Sequence, residues 1–145
     1  MISTHTKTTV TPSEKTVKRS WHLIDVKGKV LGRVCPQIAQ LLMGKHKSMY
    51  SSNIDTGDEV VVINAKSIVI TGKKSQTKEY TRYSGYPGGL TKVSYKAMSE
   101  KHPERIIEHA VSGMLPKNKL RDVRMRRLHV FGDHTHDFVH KFVST

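Results

Sequence analysis

The chain has 145 residues and carries 25 lysines and arginines against 12 aspartates and glutamates, a formal net charge of +13. That length suits a single domain, and that charge suits a polyanionic partner, because cations that neutralise phosphates release condensed counterions; nucleic acid comes first and an acidic membrane surface second. The single cysteine, Cys35, excludes an internal disulfide and a thiolate zinc site, and no apolar run approaches the ~20 residues that span a bilayer.

The charge is uneven along the chain. Residues 1–50 hold 9 basic and 2 acidic side chains, residues 51–70 hold 1 and 3, residues 71–127 hold 14 and 5, and residues 128–145 hold 1 and 2. Two basic zones therefore flank an apolar, slightly acidic centre. Residues 1–20 are rich in threonine and serine and lack the apolar stretch of a secretory signal. Such a composition cannot bury enough apolar area to order itself, so residues 1–18 read as a flexible basic arm. A mitochondrial-targeting reading is weaker, because Arg19 is the one arginine there. The remainder, residues 19–145, reads as one α/β domain with a C-terminal tail.

Trp21 to Val26 reads as a strand and Lys27-Gly28-Lys29 as a turn. Leu31, Val34, Cys35, Ile38, Leu41 and Leu42 recur at helical spacing, with Arg33, Gln37 and Gln40 on the opposite side. Pro36 is best tolerated in a first turn, which predicts a regular helix starting just before it. Gly44 ends that helix, and a long connection runs to residue 58. Val60-Val61-Val62-Ile63 is the continuous β-branched run of a strand buried on both faces. Strand, helix and buried strand together predict a βαβ unit with parallel pairing. Ser67 to Thr71 predicts a further strand, and Lys78 to Tyr83 an extended segment. Residues 84–92 form a glycine-rich loop, and Ser94 to Glu100 a short helix. A longer helix starts at Pro103 with Ile106, Ile107, Ala110, Val111 and Met114 on its apolar stripe, and stops at Pro116. In residues 117–127, Leu120 and Val123 share a side but basic residues surround the rest of the helical wheel. Leu128 to Phe131 predicts a last strand.

Three groups of residues offer contacts to phosphate or to unpaired bases. Gly44-Lys45-His46-Lys47-Ser48 follows a helix end, but lacks the earlier glycine and following helix of a nucleotide-binding P-loop. Gly72-Lys73-Lys74 and Gly85-Tyr86-Pro87-Gly88-Gly89 form a second zone, where glycine admits close backbone approach and tyrosines can stack on bases; Tyr80 reads as packing, while Tyr83 and Tyr86 stay open. Lys117, Lys119, Arg121, Arg124, Arg126 and Arg127 form the densest cationic run, and arginine suits bidentate phosphate contact. From these groups, Lys45, His46, Lys47, Lys73, Lys74, Tyr86, Gly88, Gly89, Lys117, Lys119, Arg121, Arg124, Arg126 and Arg127, together with Arg33, make up the expected RNA-binding set. The loop lysines and the arginines at 124, 126 and 127 are expected to be dispensable for the core. Asp55, Asp58 and Glu59 lack the partners of a magnesium nuclease and read as a loop entering a strand. His134 and His136 are too few for a zinc site, and Cys35 reads as a small core residue. No metal, cofactor, small-molecule substrate or catalytic residue is expected.

Leu31-Gly32-Arg33, Ile38 to Lys47, Asp55-Thr56-Gly57-Asp58, Ile63-Asn64-Ala65, Thr71 to Lys74, Ser84 to Leu90 and Ala110 to Asn118 occur in that order, and together the chain resembles ribosomal protein family thirteen of the large subunit, in its bacterial and organellar branch. The resemblance implies a three-layer α/β/α fold around a four-stranded parallel sheet. It implies binding to large-subunit ribosomal RNA beside neighbouring ribosomal proteins, a part in early subunit assembly, and no catalysis. Location follows as cytoplasmic and ribosome-associated, with a mitochondrial ribosome as the alternative. A regulator acting on messenger RNA away from the ribosome is the alternative function. The chain departs from the family at Leu120-Arg121-Asp122, where Leu-Gly-Arg is usual, at Tyr83 in place of a common histidine, at Pro36 in place of a small residue, and in the tail after His136.

Overall fold

The computed structural model describes residues 13–142. Most of the expected basic arm, residues 1–12, lies outside the described residues. Residues 14–16 form one 3-10 turn.

Strand β1 (Trp21–Asp25) leads through a turn at Gly28, whose φ of 68° is the left-handed region that glycine tolerates, into helix α1 (Leu31–Met43). Strand β2 (Glu59–Ile63) returns parallel to β1, with Leu23 opposite Val61 and Ile24 opposite Val62. This is the predicted βαβ unit. Val60, Val61 and Val62 are fully buried, as a central strand of a parallel sheet requires. After helix α2 (Lys74–Thr77), strands β3 (Glu79–Tyr83) and β4 (Leu90–Ser94) make an antiparallel hairpin. Helices α3 (Tyr95–Lys101), α4 (Pro103–Met114) and α5 (Leu120–Met125) follow, and β5 (Leu128–Val130) pairs parallel with β2.

Among the described residues the parallel sheet has three strands in the order β1-β2-β5, not the four expected. The segment predicted as a further strand, Ser67 to Thr71, instead follows a 3-10 turn at Ala65–Ser67 and pairs with residues 28–31 through an isolated parallel bridge between Val30 and Val69 and a hydrogen bond from the Gly28 N–H to the Ser67 carbonyl. Its apolar residues still serve packing, since Ile68 is buried and Ile70 packs against the core. The alternation of side chains along each strand divides the sheet into two faces. Ile24, Val60, Val62, Leu128 and Val130 face the core with Val34, Ile38 and Leu42 of α1 and Ile106, Ile107 and Val111 of α4. On the other face the Trp21 ring lies 5.1 Å from Phe138 and 6.3 Å from Phe142. His129 lies 4.5 Å from Phe138. Here an aromatic C-terminal tail covers the strands, and Leu23 stays 46% exposed.

Two local expectations need correction. Helix α1 begins at Leu31, so Pro36 sits inside it and not in its first turn. Proline removes the bond that residue 36 would make to the carbonyl of residue 32; Gly32 and Pro36 are both exposed, so water can satisfy that carbonyl. In α5 the residue turned inward beside Leu120 is not Val123, which is 42% exposed, but Arg124. Met114, expected on the α4 stripe, is 43% exposed at the helix end.

Candidate nucleic-acid interface

Gly44 closes α1 in the left-handed conformation (φ 77°), with its N–H directed to the carbonyls of Gln40 and Leu41. That cap turns the chain sharply outward. Lys45 and His46 emerge exposed, whereas Lys47 folds back. Its ammonium donates to the carbonyl oxygens of Lys18 at 2.8 Å and Thr56 at 3.1 Å, and to the carboxylate of Asp58.

The acidic loop is what these cations are folded against. Asp58 is fully buried. Its Oδ1 accepts from the Ser20 N–H at 2.9 Å and from Lys47, and its Oδ2 lies 3.0 Å from His22 Nε2 and 2.9 Å from His46 Nε2. Burial pushes the Asp58 carboxyl up, but the Lys47, Ser20 and His22 hydrogen bonds outweigh it and hold its pKa below the usual value. Asp55 is 8% exposed and receives a bidentate pair from Arg127, one arm at 2.6 Å. Arg127 also donates to the Leu42 carbonyl at 3.3 Å, tying the end of α1 to the start of β5. Burial again raises the Asp55 carboxyl; the Arg127 hydrogen bonds and charge, then Arg124 and Arg19, bring it down below its ordinary range. Between the two aspartates, Gly57 packs so tightly that a Cβ there would overlap the Leu42 carbonyl.

The second zone is open. Lys73 and Lys74 are exposed at the start of α2. The hairpin tip presents Tyr83 at 62% and Tyr86 at 76% exposure. Gly88 adopts a φ of 75°, and the Gly89 N–H donates to the Tyr86 carbonyl at 2.9 Å, which closes the tip. Tyr80 packs partly against the core, in line with its packing role. Beside it a groove of about 630 Å³ runs between the hairpin and α3 and α4, lined by Tyr80, Arg82, Tyr83, Arg105 and His109 among others.

The third zone divides in two. Lys117, Lys119 and Arg126 are exposed and Arg121 is half-buried. Arg124 and Arg127 are 1% and 6% exposed. Arg33 projects from the outer side of α1. Of the loop lysines and the three arginines expected to be dispensable for the core, Lys45 and Arg126 are exposed, whereas Lys47 and Arg127 bond Asp58 and Asp55 and Arg124 is buried 3.6 Å from Asp55, which runs against that expectation. The aspartates were the missed functional residues. A signal was present for one of their partners: Arg124 stands four residues after Leu120, which places it on the same side of the helix, whereas Arg127 lies in the turn between α5 and β5.

With its one thiol buried and its two loop carboxylates locked in ion pairs, the molecule is a cationic α/β scaffold with no free catalytic group in that loop. Comparison with known proteins gives the family. The profile of the family described as Ribosomal protein L13 matches residues 19–137, so the chain belongs to the ribosomal protein L13 family, a structural family and not one of enzymes. Similar proteins named large ribosomal subunit protein uL13 include one from Clostridioides difficile strain 630, 53% identical over 122 residues, covering 83% of this chain and 85% of that protein. Another from Stenotrophomonas maltophilia strain R551-3 is 50% identical over 128 residues, covering 88% and 90%. A third from Chloroflexus aggregans strain MD-66 is 50% identical over 125 residues, covering 86% of each.

Proposed function

We propose that this chain is a structural constituent of the large ribosomal subunit in the cytoplasm, where it binds large-subunit ribosomal RNA beside neighbouring ribosomal proteins and supports early subunit assembly. The observation that carries the reading is the likeness to bacterial large-subunit proteins along nearly the whole chain. Exposure of several of the expected cations supports a contact surface. Among the exposed or half-buried cations, Arg33, Lys45, His46, Lys73, Lys74, Lys117, Lys119, Arg121 and Arg126 are those assigned to phosphate in this reading, and the hairpin tip with Tyr86, Gly88 and Gly89 offers a ring and close backbone approach to an unpaired base. Lys47, Arg124 and Arg127 act one step back, by holding the loop and the helix that present these groups.

The test is cosedimentation of tagged chain with large subunits through a high-salt gradient, together with filter binding to isolated large-subunit RNA. Stoichiometric retention on large subunits and salt-sensitive binding to their RNA are expected. Release from the subunit at high salt, with equal affinity for unrelated RNA, would overturn the reading.

A further inference from the structure

We propose that His22, His46 and Asp58 form a binding site for one borderline divalent transition metal ion, of which Zn²⁺ is the natural probe. The sequence scatters these ligands over 36 residues, between the first strand, the loop after α1 and the entry to β2. The fold collects them. One ligand atom from each lies within 4.8 Å of the others. The Asp58 carboxylate is divided between two tasks. Its Oδ1 is taken by the Ser20 N–H and the Lys47 ammonium. Among the described residues its Oδ2 faces the two imidazole nitrogens, at 3.0 and 2.9 Å.

Ring geometry and access agree with this role. The two imidazoles stand edge to face, with an interplanar angle of 84° and centroids 5.6 Å apart, so both Nε2 atoms converge on one oxygen without stacking. Their side chains are 32% and 36% exposed over a fully buried carboxylate, which leaves an entry path and room for a water as fourth ligand. Zinc at about 2.0–2.1 Å from each donor at tetrahedral angles needs donors roughly 3.4 Å apart, so each histidine has to retreat by about 0.4 Å. On binding, each neutral imidazole carries its proton on Nδ1 and offers Nε2 to the metal. Two nitrogens and one oxygen favour Zn²⁺, Co²⁺ or Ni²⁺ over Mg²⁺ and Ca²⁺, which seek oxygen ligands. Lys47 restricts the aspartate to one oxygen, so the site is a three-ligand clasp joining β1, the loop after α1 and the entry to β2.

The test starts from metal-stripped full-length chain titrated with Zn²⁺ against a chromophoric chelator. One equivalent is expected to bind, and His22→Phe and His46→Gln are each expected to weaken it by more than about tenfold, a loss of about 1.4 kcal/mol. His46→Gln keeps a donor for Asp58 and so guards the fold; circular dichroism checks both variants. X-ray absorption on the wild-type zinc complex needs no variant, and is expected to show two imidazole nitrogens with oxygen and no sulfur. Absence of binding by the wild-type chain, or equal affinity in both folded variants, or a coordination shell lacking the two imidazoles, would overturn the proposal.

Discussion

Two arginines share one buried aspartate, and they do not share it equally. Arg127 makes both close contacts to Asp55, whereas Arg124 reaches it only through Nε at 3.6 Å. The Nε and Nη2 atoms of Arg124 are buried with no hydrogen-bond partner among the described residues. A buried donor left unpaired costs about 1–3 kcal/mol, while breaking a well-made buried pair costs about 3–5 kcal/mol because it strands the partner charge. Arg127→Met is therefore expected to destabilise by about 3–5 kcal/mol in urea unfolding. Arg124→Met removes the poorly satisfied guanidinium and leaves Asp55 paired, so it is expected to fall within about 1 kcal/mol of wild type or above it. Equal losses for the two variants would contradict this division. The carboxylates also set an acid response. Both folded pKa values lie below the ordinary 3.8, so the stabilisation is complete above that pH and is lost as pH falls below it toward the folded values. Urea midpoints measured from pH 7 down to pH 3 should fall most steeply below about pH 4, and Asp55→Asn or Asp58→Asn should flatten that fall while lowering stability at pH 7. Cys35 answers to burial alone. Its thiol is fully buried and pushed up to about 11, so alkylation by iodoacetamide at pH 8 should require unfolding.

At the scale of elements, periodicity carries far where one face is apolar, and fails where charge is buried. The α1 stripe and the valine run of β2 were legible because burial of many methyl groups overrides weaker local preferences, and Ile38 and Val60 to Val62 are indeed fully enclosed. Ile38→Ala and Val111→Ala are expected to destabilise by roughly 2–5 and 1–4 kcal/mol, read as a lower thermal midpoint. Pro36 misled because its missing N–H was weighed without its place on the helix; it shares the polar side with Arg33 and Gln40, so the carbonyl it orphans lies on the wet side. Strand β4 went unread because Leu90 to Ser94 is largely exposed and follows glycines, so it carries no apolar alternation to detect. Its register comes from pairing with β3, as between Tyr80 and Val93. The site was half legible. Lysines beside glycines announced themselves, whereas the role of Asp55 and Asp58 depends on Arg127 and His22, 72 and 36 residues away in the chain. Only the fold makes those pairs neighbours.

For the whole molecule, the net charge of +13 is not one reservoir. Among the described residues some cations are spent inside, on Asp55 and Asp58, and others, such as Lys45, Lys73, Lys117 and Arg126, stand exposed on the surface; these two populations should separate in experiment. Lys45, Lys73, Lys117 and Arg126 have exposed side chains, and replacing each by alanine should leave the thermal midpoint close to wild type. Each phosphate contact so removed should weaken binding to large-subunit RNA and flatten its log–log salt slope by roughly 0.7–0.9, because fewer counterions are released on binding. Replacing Arg127 should do the reverse, with a lower midpoint but, at a temperature where the variant is still folded, a salt slope like that of wild type. A core change such as Ile38→Ala should behave like Arg127, since neither residue meets solvent. The measurement is thermal unfolding paired with RNA affinity at four or more salt concentrations for each variant. Surface variants that fold normally and keep both affinity and slope would sink the contact surface proposed for those residues. A flattened slope for Arg127→Met in its folded state would mean that this buried arginine turns outward on RNA, and that its pairing with Asp55 is given up in the complex.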